Sequence, residues 1–182
     1  MAEQFESLTS DQIEFIERQH LFVVGTAGAQ GKINGSPKGM DSLRIINLDR
    51  LVWLNLTGSG NETTAHVIEN NRMTVMFCSF ETQPLILCLY GATEIIYPRE
   101  TELFEKYAAM FNHQPGTLQF FELKIYMVQT SCGFAVPLFD LRGERDTPKE
   151  WANVKGDEGI SQYWADRNQT SLDGKPTNIL DR

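Results

Sequence analysis

The sequence predicts a mainly β domain, an antiparallel barrel of six to seven strands, closed or nearly so, with helices at its periphery. Three observations carry this expectation. Short runs rich in apolar and β-branched residues recur with turn residues between them at close spacing. The segment 119–130 alternates apolar and polar side chains, with Phe121, Leu123, Ile125 and Met127 on one side and Glu122, Lys124 and Tyr126 on the other. That period of two belongs to a strand with one wet or ligand-facing side. Helical spacing, in contrast, is confined to short stretches.

Thr9 with Gln12 forms a capping box that opens a short helix bearing Ile13 and Ile16 on one face. Leu21 to Gly25 reads as a strand, and AGAQGKINGS after it as a hairpin turn. Leu43 to Ile46 and Leu51 to Leu56 are two strands joined by a turn over 47–50. Glu62 to Glu69 is helical with Asn61 as N-cap. Arg72 to Phe80 and Leu85 to Tyr97 flank a turn at 81–84, with Gly91 a bulge or bend. Leu103, Phe104, Tyr107, Met110 and Phe111 recur at helical spacing, so 100–112 is an amphipathic helix whose aromatic stripe is core. From Asp140 the chain is polar, with short helices around Trp151 and Trp164 and a loose tail. The division expected is a barrel over 1–139 and a helical extension over 140–182 of the same domain.

At 182 residues, 41% apolar and 22% charged, the composition is that of a single globular domain with a sizeable core. No apolar run approaches the ~18 residues of a membrane span, and the acidic N-terminus lacks the plan of a signal peptide. A cytoplasmic protein is therefore expected. A formal charge of −8 with no basic patch argues against nucleic acid. Cys78, Cys88 and Cys132 form no CxxC pair and read as reduced, packed thiols, and three scattered histidines suggest no metal site. No Ser-His-Asp, Cys-His or paired-carboxylate constellation marks a catalytic group.

The stretch from Gly35 to Gly91 is the most informative. Two small-residue turns stand out, Gly35-Ser36-Pro37-Lys38-Gly39 and Thr57-Gly58-Ser59-Gly60-Asn61-Glu62-Thr63, and the second runs straight into the short helix. Free backbone N–H groups and hydroxyls at a helix N-terminus suit a phosphate, and Lys38, the cation of these turns, would supply the countercharge. Read without context, the same residues are also compatible with two ordinary β-turns.

The ordered set Leu21-Phe22-Val23-Val24-Gly25-Thr26, Ser36-Pro37-Lys38-Gly39, Gly58 to Thr63, Asn70 to Phe77 and Leu89-Tyr90-Gly91 resembles the pyridoxamine 5′-phosphate oxidase-like family of split β-barrels. The similarity spans about Ile13 to Val136 and is greatest to the oxidase-like branch with an SPKG turn and a GSGNET loop. The resemblance implies a Greek-key-like split barrel, a homodimer, FMN in the cleft between subunits, and flavin-dependent redox chemistry on a small molecule. It places Ser36, Pro37, Lys38, Gly39, Gly60, Asn61 and Thr63 at the cofactor. Two departures stand out. Where the authentic oxidases carry an Arg-Lys pair before the short helix, this chain has Glu62 and Thr63; and the tail SLDGKPTNILDR lacks their Arg-x-His-x-Arg signature, leaving Lys175 and Arg182 as its cations. Vitamin B6 oxidation is accordingly not the expected reaction. Relatives of the fold that use the deazaflavin F420 or handle haem define the alternative readings.

Overall fold

The computed structural model describes residues 2–181, so Arg182 lies outside the described residues. In chain order the elements are β1 (Glu3–Phe5), α1 (Ser10–Glu17), β2 (Phe22–Ala27), β3 (Ile33–Lys38), β4 (Leu43–Asn47) and β5 (Arg50–Leu56). They continue with α2 (Glu62–Asn70), β6 (Arg72–Cys78), β7 (Ile86–Ile96), α3 (Thr101–Met110), β8 (Thr117–Ser131) and α4 (Thr147–Arg167). The fold is a mainly antiparallel sheet with peripheral helices, as expected, but it has eight strands and is not closed. Its order is β3-β2-β6-β7-β8-β5-β4, with β1 pairing β8 off this path. The three-residue β1 escapes sequence reading because it lies in an acidic segment too short to show a period.

Why α1 forms is visible at its start. Gln12 N donates to Thr9 Oγ1 at 3.3 Å and Thr9 N donates to Gln12 Oε1 at 3.0 Å, the reciprocal bonds of a capping box. The main core lies between α1 and the inner face of the sheet, where Trp53 stacks on Phe121 at 4.5 Å. A second cluster packs Tyr107, Ala108 and Phe111 of α3 on Val52, Leu54, Ile96 and Phe120. Strands β5 and β8 are thus covered on both faces here, which is why LVWLNL reads as a continuous apolar run rather than an alternation.

Gly91 sits at a register shift between β7 and β8, as its position suggests. A Cβ there would lie 2.4 Å from Lys124 O and 2.5 Å from Leu123 Cδ1, so only glycine lets the strands approach. Opposite it, Tyr90 pairs Met127 and Gly91 pairs Ile125, leaving Tyr126 as the extra residue. This corrects the simple alternation of β8. Beyond the bulge the phase changes, Val128 is buried, and Met127 moves to the other face.

The carboxy-terminal region differs most from expectation. Thr147–Arg167 comprises two short helices joined at a kink at Gly156 (φ 64°, ψ 172°), as expected around Trp151 and Trp164, but the residues after them are docked, not loose. Trp164 Nε1 donates to Thr57 Oγ1 at 2.9 Å, and the Tyr97 hydroxyl donates to Thr177 O at 2.8 Å. Ile179 is buried beside Tyr97 and Leu118. Cys78 and Cys88 are half-buried and Cys132 is exposed, so the packing role expected of Cys132 does not hold. Among the described residues no helix is long and apolar enough to cross a membrane, and no group of metal-binding side chains forms.

Candidate functional site

The segment expected to be an SPKG turn is the end of strand β3, which pairs β2 with Ser36 opposite Val24 and Lys38 opposite Phe22. The turn lies earlier, in residues 28–32. Proline is tolerated because β3 is the terminal strand of the sheet, where a missing N–H breaks no ladder on the outer side. The strand's period of two decides what reaches the site. Asn34, Ser36 and Lys38 share one half-buried face, while Gly35 and Pro37 share the exposed one.

The half-buried face opens on a cleft of about 540 Å³. Ser36, Lys38, Gly60, Asn61 and Thr63 all line it, so five of the seven predicted residues meet there. Pro37 and Gly39 do not; they border a separate hollow of about 520 Å³ with Met40 and Arg145. Cys132, which follows β8, lines neither.

Lys38 is the cation that the strands bring to the cleft wall. Among the described residues no carboxylate pairs with it. Its Nζ has only Asn55 Oδ1 at 3.4 Å and the Trp53 ring, 5.2 Å to the centroid. Burial without a countercharge lowers its pKa from 10.5 to about 8. An ammonium held this way gains from any anion that enters.

The other wall is the start of α2, whose first N–H groups have no partner within the helix. Asn61 occupies the N-cap position but makes no capping bond. It is 2% exposed, and its Oδ1 accepts from Thr64 Oγ1 at 2.6 Å and Gln119 Nε2 at 2.9 Å, while Nδ2 has no partner. A buried amide donor without an acceptor costs free energy. Thr63 Oγ1 accepts from Asn34 Nδ2 at 3.1 Å, which also donates to Thr26 Oγ1 at 3.2 Å; Thr26 in turn bonds His66 Nδ1 at 3.1 Å. This chain ties α2 to β2 and β3, and leaves the Thr63 hydroxyl proton free for a ligand. Glu62, whose carboxylate would repel an anion, accepts from Leu172 N at 2.8 Å and is held by that bond. The site thus offers an ammonium, a helix N-terminus, an amide and two hydroxyls, the donor set that suits a phosphate monoester.

Several contributors have no signal in the sequence. Asn55 ends an apolar run, and Asp166, Arg167, Thr170, Ser171 and Leu172 reach the cleft from the far end of the chain. Asn168, fully buried, fixes that segment by donating from Nδ2 to Gly58 O at 3.0 Å. Nothing local in 166–172 announces this placement; it depends on how α4 docks through Trp164. Asn34 was legible in principle, since Asn34, Ser36 and Lys38 recur at a period of two, but the interleaved Gly35 and Pro37 read as a turn.

Comparison with known proteins finds relatives of the chain and of its fold. The family model described as pyridoxamine 5′-phosphate oxidase matches residues 8–132. A curated relative from Aspergillus flavus, the pyridoxamine 5′-phosphate oxidase family protein ustO, is 34% identical over 193 aligned positions, covering 94% of this chain and 76% of the relative. Among solved structures, a candidate pyridoxamine 5′-phosphate oxidase of Lactobacillus delbrueckii superposes with TM-score 0.56 at 15% identity, over 68% of this chain and 94% of the other. HutZ of Vibrio cholerae, described as a haem storage protein, gives TM-score 0.50 at 17% identity, over 69% of this chain and 96% of the other.

Proposed function

Because the chain belongs to the pyridoxamine 5′-phosphate oxidase family, we propose that it is a flavoprotein that binds FMN by its phosphate and serves a redox reaction on a small molecule. One observation carries the reading: an uncompensated half-buried ammonium, Lys38, faces the same cleft as the N-terminus of α2 and the unpartnered amide of Asn61. Ser36 and Thr63 add hydroxyl donors, and Gly60 keeps the loop before α2 free of a side chain. When bound, the flavin supplies electron transfer at its ring. The residues named here bind and orient it. Lys38, whose Nζ lies 5.2 Å from the Trp53 ring centroid, neutralises charge, and Asn61 and Thr63 fix the phosphate in register.

The family's homodimer is part of the same proposal. One face of the sheet over β2, β6, β7 and β8 carries Val23, Met76, Cys88 and Gln129 in a paired row, with Gly25, Thr74, Tyr90 and Met127 in the next. These residues are half-buried in the single chain, and Ile33, which lines the same hollow as Gly25, Thr74 and Tyr90, is 84% exposed. A twofold copy would bury this face. The haem alternative has less support, because no histidine lines the cleft. F420, with its longer anionic tail, would call for more cations than this wall presents.

Titration of the apoprotein with FMN and riboflavin tests the reading. FMN should quench and bind at micromolar concentration or tighter, with riboflavin weaker by at least about tenfold for the loss of one charge-assisted grip. Binding of neither flavin would overturn it.

A further inference from the structure

The barrel elements provide one cation to the cleft, Lys38, against a ligand group that carries two negative charges. Among the residues lining that cleft the other cation is Arg167, in the last turn of α4 and outside the part of the chain that the family model covers. Among the described residues no carboxylate pairs with it. Its neighbour Asp166 accepts from Gln162 Nε2 at 2.9 Å, a bond directed along the helix.

The segment that carries Arg167 is fastened to the cleft wall at both ends. Trp164 donates to Thr57 and Asn168 donates to Gly58 O, both in the loop that leads into α2. Farther on, Leu172 N holds the Glu62 carboxylate, Asp173 pairs Lys32 at 2.6 Å, and Lys175 pairs Glu69. Three of these partners, Glu62, Glu69 and Lys32, flank the helix start and the β2–β3 turn. The fastening therefore does two things: it sets Arg167 in the lining of the cleft, and it occupies Glu62, the carboxylate on α2 that lines the cleft and would oppose an anion.

We propose that residues 164–175 form a clamp over the phosphate end of the cleft, and that Arg167 is its ligand-binding residue, a second cation for the flavin phosphate. The proposal rests on the flavin reading above and adds to it the source of phosphate selectivity. Lys38 contributes from the barrel and Arg167 from the clamp, so a phosphorylated flavin engages both while riboflavin engages neither.

The test compares the protein with Arg167→Gln, Arg167→Lys and a control of equal charge change in the helical segment before the Gly156 kink, Lys155→Gln, which does not line the cleft. FMN and riboflavin affinities are measured by flavin fluorescence, and amide hydrogen exchange is followed over 164–175 with each ligand. We expect Arg167→Gln to weaken FMN about tenfold and riboflavin less than about twofold, Arg167→Lys to recover part of the loss, and Lys155→Gln to change neither. FMN, and not riboflavin, should increase protection of 164–175. If the wild-type protein prefers FMN but Arg167→Gln keeps that preference and 164–175 gains no protection, the clamp proposal is wrong and the flavin reading stands. If the wild-type protein shows no preference for FMN over riboflavin, the phosphate reading itself fails and the clamp with it.

Discussion

Substituting Lys38 by methionine should weaken the ligand and stabilise the empty protein at once. Methionine keeps nearly the length of the lysine stem, so the change removes the charge, 5.2 Å from the Trp53 ring centroid, with little loss of volume. In the ligand-free protein the ammonium is half-buried with no countercharge, and its pKa falls from 10.5 to about 8. At about 1.4 kcal/mol per tenfold, that difference corresponds to on the order of 3 kcal/mol, and solvent reaching a half-buried group reduces it to about 1–2 kcal/mol. The sign follows from proton binding. The unfolded chain holds the lysine proton more tightly, so the penalty is full below pH 8 and fades as pH rises toward 10.5. Lys38→Met should therefore raise urea-unfolding stability by about 1–2 kcal/mol at pH 7, with the gain shrinking by pH 10. The same substitution removes a charge-assisted bond to phosphate, about 1.5–3 kcal/mol, so FMN should weaken about tenfold to a hundredfold and riboflavin hardly at all. In the wild-type protein FMN affinity should decline above pH 8 as the ammonium loses its proton. Equal weakening of both flavins, or a destabilised apoprotein at pH 7, would refute the reasoning.

Gly91→Ala should cost about 1–3 kcal/mol in urea unfolding, because its Cβ meets Lys124 O and Leu123 at under 3 Å; an unchanged midpoint would show that the strands can separate there. Light scattering should give twice the 20.7 kDa chain mass, and Met76→Glu on the uncovered sheet face should halve it; a wild-type monomer that still binds FMN would count against the dimer. Glu69 and Asp173 have carboxyl pKa values lowered first by the bonds from Lys175 and Lys32, so their hold on the clamp is complete above the ordinary carboxylate range near 4 and is lost as pH falls through the lower folded values. The protection factors of residues 164–175, taken relative to the intrinsic exchange rate at each pH, should fall below about pH 4 ahead of those of the barrel strands; protection that persists to about pH 3 would contradict this.

The elements most legible in the chain were those whose signal is local. The Thr9–Gln12 capping box, the β4–β5 and β6–β7 hairpins and the Gly91 bulge each depend on residues within a few positions, and each is present. Five of the seven residues expected at a cofactor converge for a related reason, since β3 and the start of α2 each carry their own polar pattern. The misreading of Ser36 to Gly39 as a turn arose because glycine and proline punctuate loops, whereas an edge strand tolerates both. Met127 leaves the side of Leu123 and Ile125 because a bulge at Tyr126 inserts one residue, which an alternation count cannot see. Arg167 and Asn168 were not legible at all. Their arrival beside Gly58 depends on tertiary docking of a polar helix, and Trp164, the anchor, reads locally only as an apolar residue in a charged stretch.

The most direct test of a phosphate-gripping flavin site is the chromophore that the protein itself retains. Purified without added cofactor, denatured, and analysed by mass spectrometry, it should release FMN in a fixed ratio to chain, and the native protein should show a flavin spectrum that vanishes on release. Haem in the released fraction, or an apoprotein that takes up neither FMN nor riboflavin at micromolar concentration, would contradict the account.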